Sequence, residues 1–314
     1  MNRCLSCHTA LAGGFYHPSC SLALFGTPKP PILDCTLEEL YLWAKRKHQR
    51  GSVPGVQPKM SALQTPGRLE VTDISGDYIM KPQVPAYRAL PENEALTMRM
   101  AATAGIEVAP CGLLPLVSGE LVYVTQRMDR LVPGKRGPRR TTRHMEDFSQ
   151  VTEHSTARKY RGSMELVARG LRTYSDTPGL DLVRLLRLAL FCFLTGNADM
   201  HLKNFSLLYE GRTKRLAPAY DLLSTRLVIP ERDDPEEMAL TLNGKKNRLR
   251  LEDFALFAKN IGLGSRQFQS ACDSLAASLP SLFHLVQASF LPDDLKEAYG
   301  ALLRVRAQRL GLVH

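Results

Sequence analysis

The chain has 314 residues, and its 41 Lys and Arg against 31 Asp and Glu give a net charge of +10. The shares of hydrophobic residues (44%) and charged residues (23%) are those of a folded protein and exclude a disordered chain. The length predicts two domains or one two-lobed unit. The positive charge favours polyanionic partners such as nucleic acid, nucleotide phosphates or an acidic protein surface.

The N-terminus lacks the continuous apolar run of a secretory signal, so we expect the protein to stay in the cytoplasm. The longest apolar segment, residues 180–195, contains Arg184 and Arg187. It is shorter than the roughly 20 residues that span a bilayer. We therefore predict a buried helix at this position and no membrane partner.

The chain has seven cysteines, an odd number. In a chain expected to stay in the cytoplasm, these indicate thiols or metal ligands rather than a disulfide framework. Two residues separate Cys4 from Cys7, and two separate His17 from Cys20. These residue types at this pair spacing are typical of a tetrahedral zinc site, and the alternative is a reduced terminus without metal. Residues 1–26 are therefore predicted to form a small appendage with a candidate zinc site.

The predicted elements begin with a helix that follows the proline-rich residues 27–31. Thr36 and Glu39 have the spacing of a capping box, which predicts a helix running to about residue 46. Up to residue 130 the pattern is then mostly strand and turn. Strands are predicted over residues 69–72, 78–80 and 121–125, and a helix over residues 93–103.

Helical periodicity takes over from about residue 145. A strand-rich part followed by a helical part predicts an α+β fold with a bilobal architecture. The expected boundaries are residues 27–130 for a β-rich N-lobe and residues 131–314 for a mostly helical C-lobe. Helices of the C-lobe are predicted over residues 163–171, 180–194, 251–261, 265–279 and 292–310.

A polar segment, residues 196–206, follows the apolar helix and precedes a short predicted strand. Asn204 comes five positions after Asp199. This is the spacing of a protein-kinase catalytic loop, in which the Asp orients or deprotonates the substrate hydroxyl and the Asn binds magnesium. Asp221, within residues 218–222, is placed along the chain to be the second magnesium ligand.

Phosphoryl transfer also needs a cation for the ATP phosphates and a loop that covers them. Lys81 ends a β-type run, as the ATP lysine of a kinase does, and Glu94 at the start of the next helix is placed to pair with it. The candidate covering loop is residues 52–61, flanked by Gly51, and it contains fewer glycines than the G-x-G-x-x-G loop of kinases.

Each of these residues also has a plain structural interpretation. Asp199 and Asn204 can belong to a polar turn that closes a helix, and Lys81 can be a solvated lysine at a strand end. Asp221 can cap a following helix, and Glu94 can be an acidic residue favoured by the helix dipole. The order and spacing of the whole set favour the catalytic interpretation.

With these motifs, the sequence resembles the HipA family of bacterial toxin kinases. The resemblance runs from about residue 51 to the C-terminus and rests on several segments in one order. These segments are residues 52–59 (SVPGVQPK), 91–94 (PENE), 126–130 (QRMDR), 144–148 (HMEDF), 196–206 and 218–222.

The resemblance implies a protein-kinase-like fold related to phosphoinositide kinases, with ATP and Mg²⁺ as cofactors. It implies Asp199 as the catalytic base, Asn204 and Asp221 as magnesium ligands and Lys81 on ATP. Ser52 then corresponds to the family's autophosphorylated serine, and a dianion there is repelled by the ATP phosphates, which silences the enzyme. The other candidate nucleotide-binding residues are Ser52 itself, Val53, Gly55, Gln57, Lys59, Glu94, His201 and Lys203.

Full-length HipA proteins carry an additional N-terminal subdomain, for which only about fifty residues are available here. The chain therefore looks more like HipT, the shortened kinase of three-component toxin–antitoxin systems. The resemblance implies an aminoacyl-tRNA synthetase as the phosphorylated target, with inhibition of translation. It also implies antitoxins of the HipB and HipS type as partners, and DNA only indirectly, through the antitoxin.

Two other functions stay open as alternatives. The Asp199-x-His201 pattern also resembles phosphoinositide kinases, which favours a lipid or small-molecule acceptor, although the sequence has no evident membrane-binding face. The second alternative is a non-catalytic, DNA-bound co-repressor module, although no recognition-helix signature is present. The basic residues 139–143 are either a solvated loop or a contact for an acidic substrate or a tRNA-bound complex.

Overall fold

The computed structural model describes residues 2–49, 57–73, 76–131 and 141–313. The chain divides into two compact units. The first contains Met1–Arg99, Ala109–Thr142 and Ala288–Leu291, and the second contains Met100–Val108, Arg143–Gln287 and Pro292–His314. Antiparallel strands and helices are both present, so the predicted α+β class is confirmed. Across the described ranges, every helix is too short or too polar to cross a bilayer.

The first unit is built around an antiparallel sheet. Its elements are α1 (Pro18–Phe25), α2 (Leu37–Gln49), β1 (Met60–Thr65), β2 (Arg68–Thr72), β3 (Tyr78–Lys81), β4 (Cys111–Pro115), β5 (Leu121–Gln126), β6 (Arg130–Leu131) and β7 (Thr141–Thr142), and α3 (Leu90–Thr103) begins here and continues into the second unit. Five strands pair in the order β2-β1-β3-β5-β4, and β6 pairs with β7. Two of the three inner strands, β3 and β5, are buried along most of their length, which is why they read as mostly apolar runs.

The start of α2 has the predicted capping box. The Glu39 carboxylate accepts a hydrogen bond from the Thr36 backbone N–H at 2.7 Å, and the Thr36 hydroxyl accepts one from the Glu39 N–H at 3.2 Å. These reciprocal bonds satisfy two backbone donors that a helix start otherwise leaves unpaired.

The second unit is mostly helical. Its elements are β8 (Met145–Asp147), α4 (Phe148–Val151), α5 (Met164–Tyr174), α6 (Pro178–Thr195), β9 (Ser206–Glu210), β10 (Thr213–Leu216), α7 (Leu251–Asn260), α8 (Ser265–Ala288), whose last residue belongs to the first unit, and α9 (Asp293–Arg309). The three strands pair antiparallel in the order β10-β9-β8. Helix α6 has Pro178 in its first turn, where a missing N–H costs nothing, and its apolar residues are almost all buried.

The prediction that the helix from residue 265 ends at residue 279 is wrong, because α8 continues through Pro280 to Ala288. A proline inside a helix costs about 3 kcal/mol. Leu282, Leu285 and Val286 follow Pro280 at helical spacing and are buried. Each buried aliphatic side chain contributes roughly 1.5–3 kcal/mol, so together they offset the cost of the proline.

A buried carboxylate, Glu237, holds α9 within the second unit. Its Oε1 atom lies 2.9 Å from Nη1 of Arg306 and 2.5 Å from Nη1 of Arg309. Burial acts to raise the pKa of Glu237, but hydrogen bonds from Arg309 and from the Leu249 backbone N–H hold it below its ordinary value. The carboxylate is therefore charged in the folded protein and binds both guanidinium groups.

Glu237→Gln is expected to lower the free energy of unfolding of the second unit by about 3 kcal/mol, because the two guanidinium groups lose a buried counter-charge. Urea unfolding followed by far-UV circular dichroism measures the change. Glu236→Gln is the matched control: that side chain is 43% exposed, pairs with Lys246 and is expected to cost about 1 kcal/mol or less. An equal decrease in the free energy of unfolding in the two variants would show that the burial of Glu237 does not determine its contribution.

Candidate functional site

The loop that carries the predicted catalytic residues begins where α6 ends. Gly196 caps the helix in the left-handed region, with φ 67° and its N–H directed back to the Cys192 and Phe193 carbonyls. A β-carbon at this position would lie 2.7 Å from a Leu302 methyl group and 2.9 Å from Cβ of Arg226. Both the backbone angle and the close packing therefore require glycine, which fixes the direction in which the loop leaves the helix.

Hydrogen bonds hold the loop in one conformation. The Asp199 N–H donates to the Asn197 side-chain oxygen at 3.0 Å, and the Ala198 N–H donates to the Thr225 hydroxyl at 2.9 Å. The Asn204 side-chain N–H donates to the Asp199 carbonyl at 2.9 Å. The structure thus brings together Asp199 and Asn204, the two residues singled out by their spacing. Because the Asn204 amide nitrogen makes this bond, the amide oxygen is the atom of this side chain that can bind a cation.

The carboxylate of Asp199 is partly exposed and has a partner that the sequence did not indicate. The Tyr160 hydroxyl donates a hydrogen bond to Oδ1 of Asp199 at 2.6 Å. Burial, followed by this hydrogen bond and the charge of Asp199, raises the pKa of Tyr160, so the phenol stays protonated and remains a donor. Tyr160 lies far from Asp199 in the chain, and no local motif marks it as part of the site.

His201 is buried beside the same tyrosine, with the two ring centroids 5.0 Å apart in an edge-to-face arrangement. Burial lowers the pKa of His201, and the negative charges of Asp199 and Asp221 oppose this shift only in part. The imidazole is therefore neutral at pH 7. Its Nδ1 atom has no hydrogen-bond partner among the described residues, which leaves a buried polar atom for a ligand.

Asp221 has a positive φ of 60°, which is uncommon for a residue other than glycine and which aspartate tolerates better than most. The adjacent Tyr220 ties this segment to the loop, because its hydroxyl donates to the Lys203 carbonyl at 2.8 Å. The charges of Asp199 and Asp221 both act on Tyr160 and His201. Both carboxylates therefore lie near enough to Tyr160 and His201 to affect the pKa values of these two side chains.

The structure excludes the alternative in which Asp221 caps a helix. Among the residues described there, the next helical turn is a 3₁₀ turn at Thr225–Leu227, whose N-cap is Ser224. Together, Asn204 and Asp221 offer an amide oxygen and a carboxylate, the hard oxygen ligands that Mg²⁺ prefers. The donor set in the second unit therefore fits magnesium.

Lys203, a predicted nucleotide contact, is paired within the second unit. Its Nζ lies 2.8 Å from Oδ2 of Asp147, whose other oxygen accepts the Gln150 N–H at the start of α4. This ion pair orients the lysine side chain. Its contact with a nucleotide stays a prediction.

In the first unit, Lys81 ends β3 and its side chain is only 5% exposed. Its Nζ lies 2.6 Å from Oε1 of Glu94 on α3, which is 2% exposed, and 5.4 Å from the ring centroid of Tyr123. The interpretation of Lys81 as a solvated strand-end lysine is therefore wrong. Removing two charges from water is costly, so a buried ion pair such as this one is by itself weak evidence for added stability.

Some of the remaining predicted site residues belong to the described part of the chain, and others do not. Ser52, Val53 and Gly55 lie outside the described residues. Gln57 donates a hydrogen bond from Nε2 to the Pro82 carbonyl at 2.8 Å, directly after β3, and the Lys59 side chain is exposed.

The predicted zinc ligands Cys4, Cys7, His17 and Cys20 come together, with all four ligand atoms within 4.8 Å of one another.

Comparison with known proteins defines the class. Residues 51–283 match the family described as the HipA-like C-terminal domain, and the chain belongs to this family. It is 27% identical over 306 residues to the serine/threonine-protein kinase toxin HipA of Shewanella oneidensis, which covers 90% of this chain and 69% of that protein. It is 33% identical over 256 residues to Y4mE of Sinorhizobium fredii, a candidate kinase by its name. That match covers 76% of this chain and 58% of Y4mE, so the chain spans little more than half of that relative's length.

Two solved structures share the fold. The first is the complex of HipA, HipB and operator DNA from Shewanella oneidensis, with a TM-score of 0.71 and 26% identity over 83% of this chain and 65% of that chain. The second is the proinflammatory kinase CtkA of Helicobacter pylori, with a TM-score of 0.59 and 13% identity over 90% of this chain and 95% of that chain. The predicted membership of the HipA family is thus confirmed.

Proposed function

We propose that this protein is a kinase that uses ATP and magnesium to phosphorylate a serine or threonine hydroxyl on a protein. The observation that carries the proposal is the fixed loop of Asp199 and Asn204, with a partly exposed carboxylate oriented by Tyr160. The buried Lys81–Glu94 pair supports it, because this is the pair that a kinase uses to position ATP. We propose the two-lobed kinase architecture on the same grounds.

In this mechanism, Asp199 accepts the hydrogen bond of the substrate hydroxyl and takes its proton as phosphoryl transfer proceeds. Tyr160 holds one carboxylate oxygen, so the other oxygen is oriented for the substrate. Lys81, held by Glu94, binds the ATP phosphates, and Asn204 and Asp221 hold magnesium. When bound, magnesium supplies positive charge that offsets the negative charge of the phosphates.

The finer assignments belong to the same proposal. We propose autophosphorylation at Ser52, an aminoacyl-tRNA synthetase as the target, and inhibition of translation as the result. We also propose a HipT-type toxin, with antitoxins of the HipB and HipS type as partners and with DNA reached through the antitoxin. The solved complex of a relative with HipB and operator DNA supports the antitoxin and DNA assignments.

The test uses the purified full chain, incubated with ATP and Mg²⁺ and followed by intact-mass spectrometry and peptide mapping. Phosphate on Ser52, together with phosphate transfer to proteins of a cell extract, is the expected result. Phosphate transfer only to lipid vesicles would favour the lipid-kinase alternative. Absence of both transfer and calorimetric ATP binding would overturn the proposal in favour of the non-catalytic module.

Tyr160→Phe tests the orienting contact. We expect the rate constant of phosphoryl transfer to fall about tenfold, because a hydrogen bond to a charged group is lost, while the KM for ATP stays within about twofold. Steady-state kinetics against a protein or peptide acceptor separates the two constants. The matched control is Tyr174→Phe, an exposed tyrosine of α5, and it should leave both constants unchanged. A change in the KM for ATP alone would argue against an orienting role.

A further inference from the structure

The cluster of Cys4, Cys7, His17 and Cys20 lies outside the residues that the proposed kinase mechanism uses. Cys4 and Cys7 sit on a tight turn, where the His8 N–H donates to the Cys4 carbonyl at 2.9 Å. His17 is the N-cap of α1, and Cys20 lies in the first turn of that helix. A turn with two ligands therefore faces a helix start with two more, although nine residues separate the pairs in the chain.

The distances fit one tetrahedral ion. Zinc bound to sulfur at about 2.3 Å places neighbouring ligand atoms roughly 3.8 Å apart. The four ligand atoms lie within 4.8 Å of one another, so small side-chain rotations bring them to this spacing. Three thiols and one imidazole are a ligand set of structural zinc sites, which have no open coordination position.

The orientation of His17 is an independent indication of a metal. Its Nδ1 atom lies 3.4 Å from Sγ of Cys7, and its Nε2 atom lies 3.0 Å from the Ala10 carbonyl oxygen. A metal-binding histidine donates its second ring N–H to a carbonyl or carboxylate, which fixes the tautomer and points the other nitrogen at the ion. The Nε2–Ala10 contact is that arrangement, with Nδ1 directed into the cluster.

A backbone N–H also points at one of the ligand sulfurs. The His17 backbone N–H is directed to Sγ of Cys4 at 3.5 Å, and Cys4 is fully buried. Burying a thiolate is costly unless a cation or hydrogen-bond donors offset its charge. A zinc ion would supply the cation, and the His17 backbone N–H supplies one hydrogen-bond donor.

The segment that contains the cluster packs on β4, an edge strand of the five-stranded sheet. The Leu113 N–H donates to the Leu5 carbonyl at 3.0 Å, and the Tyr16 hydroxyl donates to the Leu113 carbonyl at 2.8 Å. A β-carbon at Gly112 would lie 2.4 Å from the Tyr16 hydroxyl, so this close approach needs glycine. The N-terminal segment thus covers an edge that would otherwise expose unpaired backbone groups.

We propose that Cys4, Cys7, His17 and Cys20 bind one structural zinc ion that holds the N-terminal segment on the edge of the sheet. The short segment of residues 2–25 has little core of its own, and a metal cross-link is one of the ways in which such a segment is fixed. This inference does not depend on the proposed kinase function, because the ion has no part in phosphoryl transfer.

The test measures the metal content of the full chain, purified under reducing conditions without chelator, by inductively coupled plasma mass spectrometry. We expect about one zinc per chain in the wild type and below about 0.2 in Cys7→Ser and Cys20→Ser. Cys35→Ser is the matched control, since Cys35 is a half-buried cysteine of the same unit outside the cluster, and it should keep its zinc. Equal loss of zinc in Cys35→Ser would overturn the assignment of the ligands.

His17→Cys provides a variant that keeps four ligands, in case the serine variants do not fold. It should retain the metal, and its Co²⁺-substituted form should absorb at lower energy in the visible range than Co²⁺-substituted wild type, because a thiolate replaces an imidazole. Wild-type protein without zinc, and without a tetrahedral Co²⁺ spectrum on titration, would overturn the proposal.

Discussion

Replacing Asp199 with asparagine is expected to reduce the rate constant of phosphoryl transfer about 10²- to 10⁴-fold, the usual contribution of a general base. The change removes the group that accepts the proton and keeps its size. The Tyr160 hydroxyl can still donate to the amide oxygen, so the loop should keep its conformation. The affinity for ATP and Mg²⁺, measured by calorimetry, is expected to stay within about threefold because the proposed magnesium ligands are untouched.

Asp273→Asn is the control for the Asp199 variant. Asp273 is exposed on α8, where it accepts a hydrogen bond from Gln269, and its replacement should change neither rate nor affinity. An Asp199 variant with wild-type rate would refute its role as the base. A variant that loses ATP binding together with activity would instead place Asp199 among the nucleotide or metal ligands.

Lys81→Met should have two effects with different causes. We expect ATP binding to be lost, because the cation proposed for the phosphates is removed. We also expect the free energy of unfolding of the first unit to fall by about 3 kcal/mol, because Glu94 is left as a buried charge without its lysine. Trp43, the single tryptophan of the chain, belongs to this unit, and its fluorescence during urea unfolding measures the change.

The two effects of the Lys81 variant can be separated. Lys81→Met combined with Glu94→Gln should recover most of the lost stability without recovering ATP binding, because the unpaired charge is gone and the cation is still missing. Arg68→Met breaks an exposed pair with Asp34, in which both side chains are about 60% exposed. It should cost about 1 kcal/mol or less. If the double variant bound ATP normally, Lys81 would have no role in nucleotide binding.

The association of Asp199 with Asn204 could be predicted from the sequence, because the two residues are only five positions apart. Asp199 and Asn204 belong to one loop, and the amide of Asn204 closes that loop on the Asp199 carbonyl. The apolar periodicity of α6 and the glycine that ends it are also visible in the sequence. Tyr160 could not be predicted, because a tyrosine in a polar segment has no signature until folding brings it to Asp199.

The sequence by itself determined the α+β class and the residue types available for catalysis and metal binding, because these depend on periodicity and on spacing between near neighbours. The family was indicated by the resemblance of several motifs that occur in one order. Only the tertiary structure decided the burial of Lys81 against Glu94 and the pairing of Lys203 with Asp147. It also decided that α8 continues past Pro280. These outcomes depend on contacts between residues far apart in the chain, and their burial energies exceed the local preferences that a sequence pattern reports.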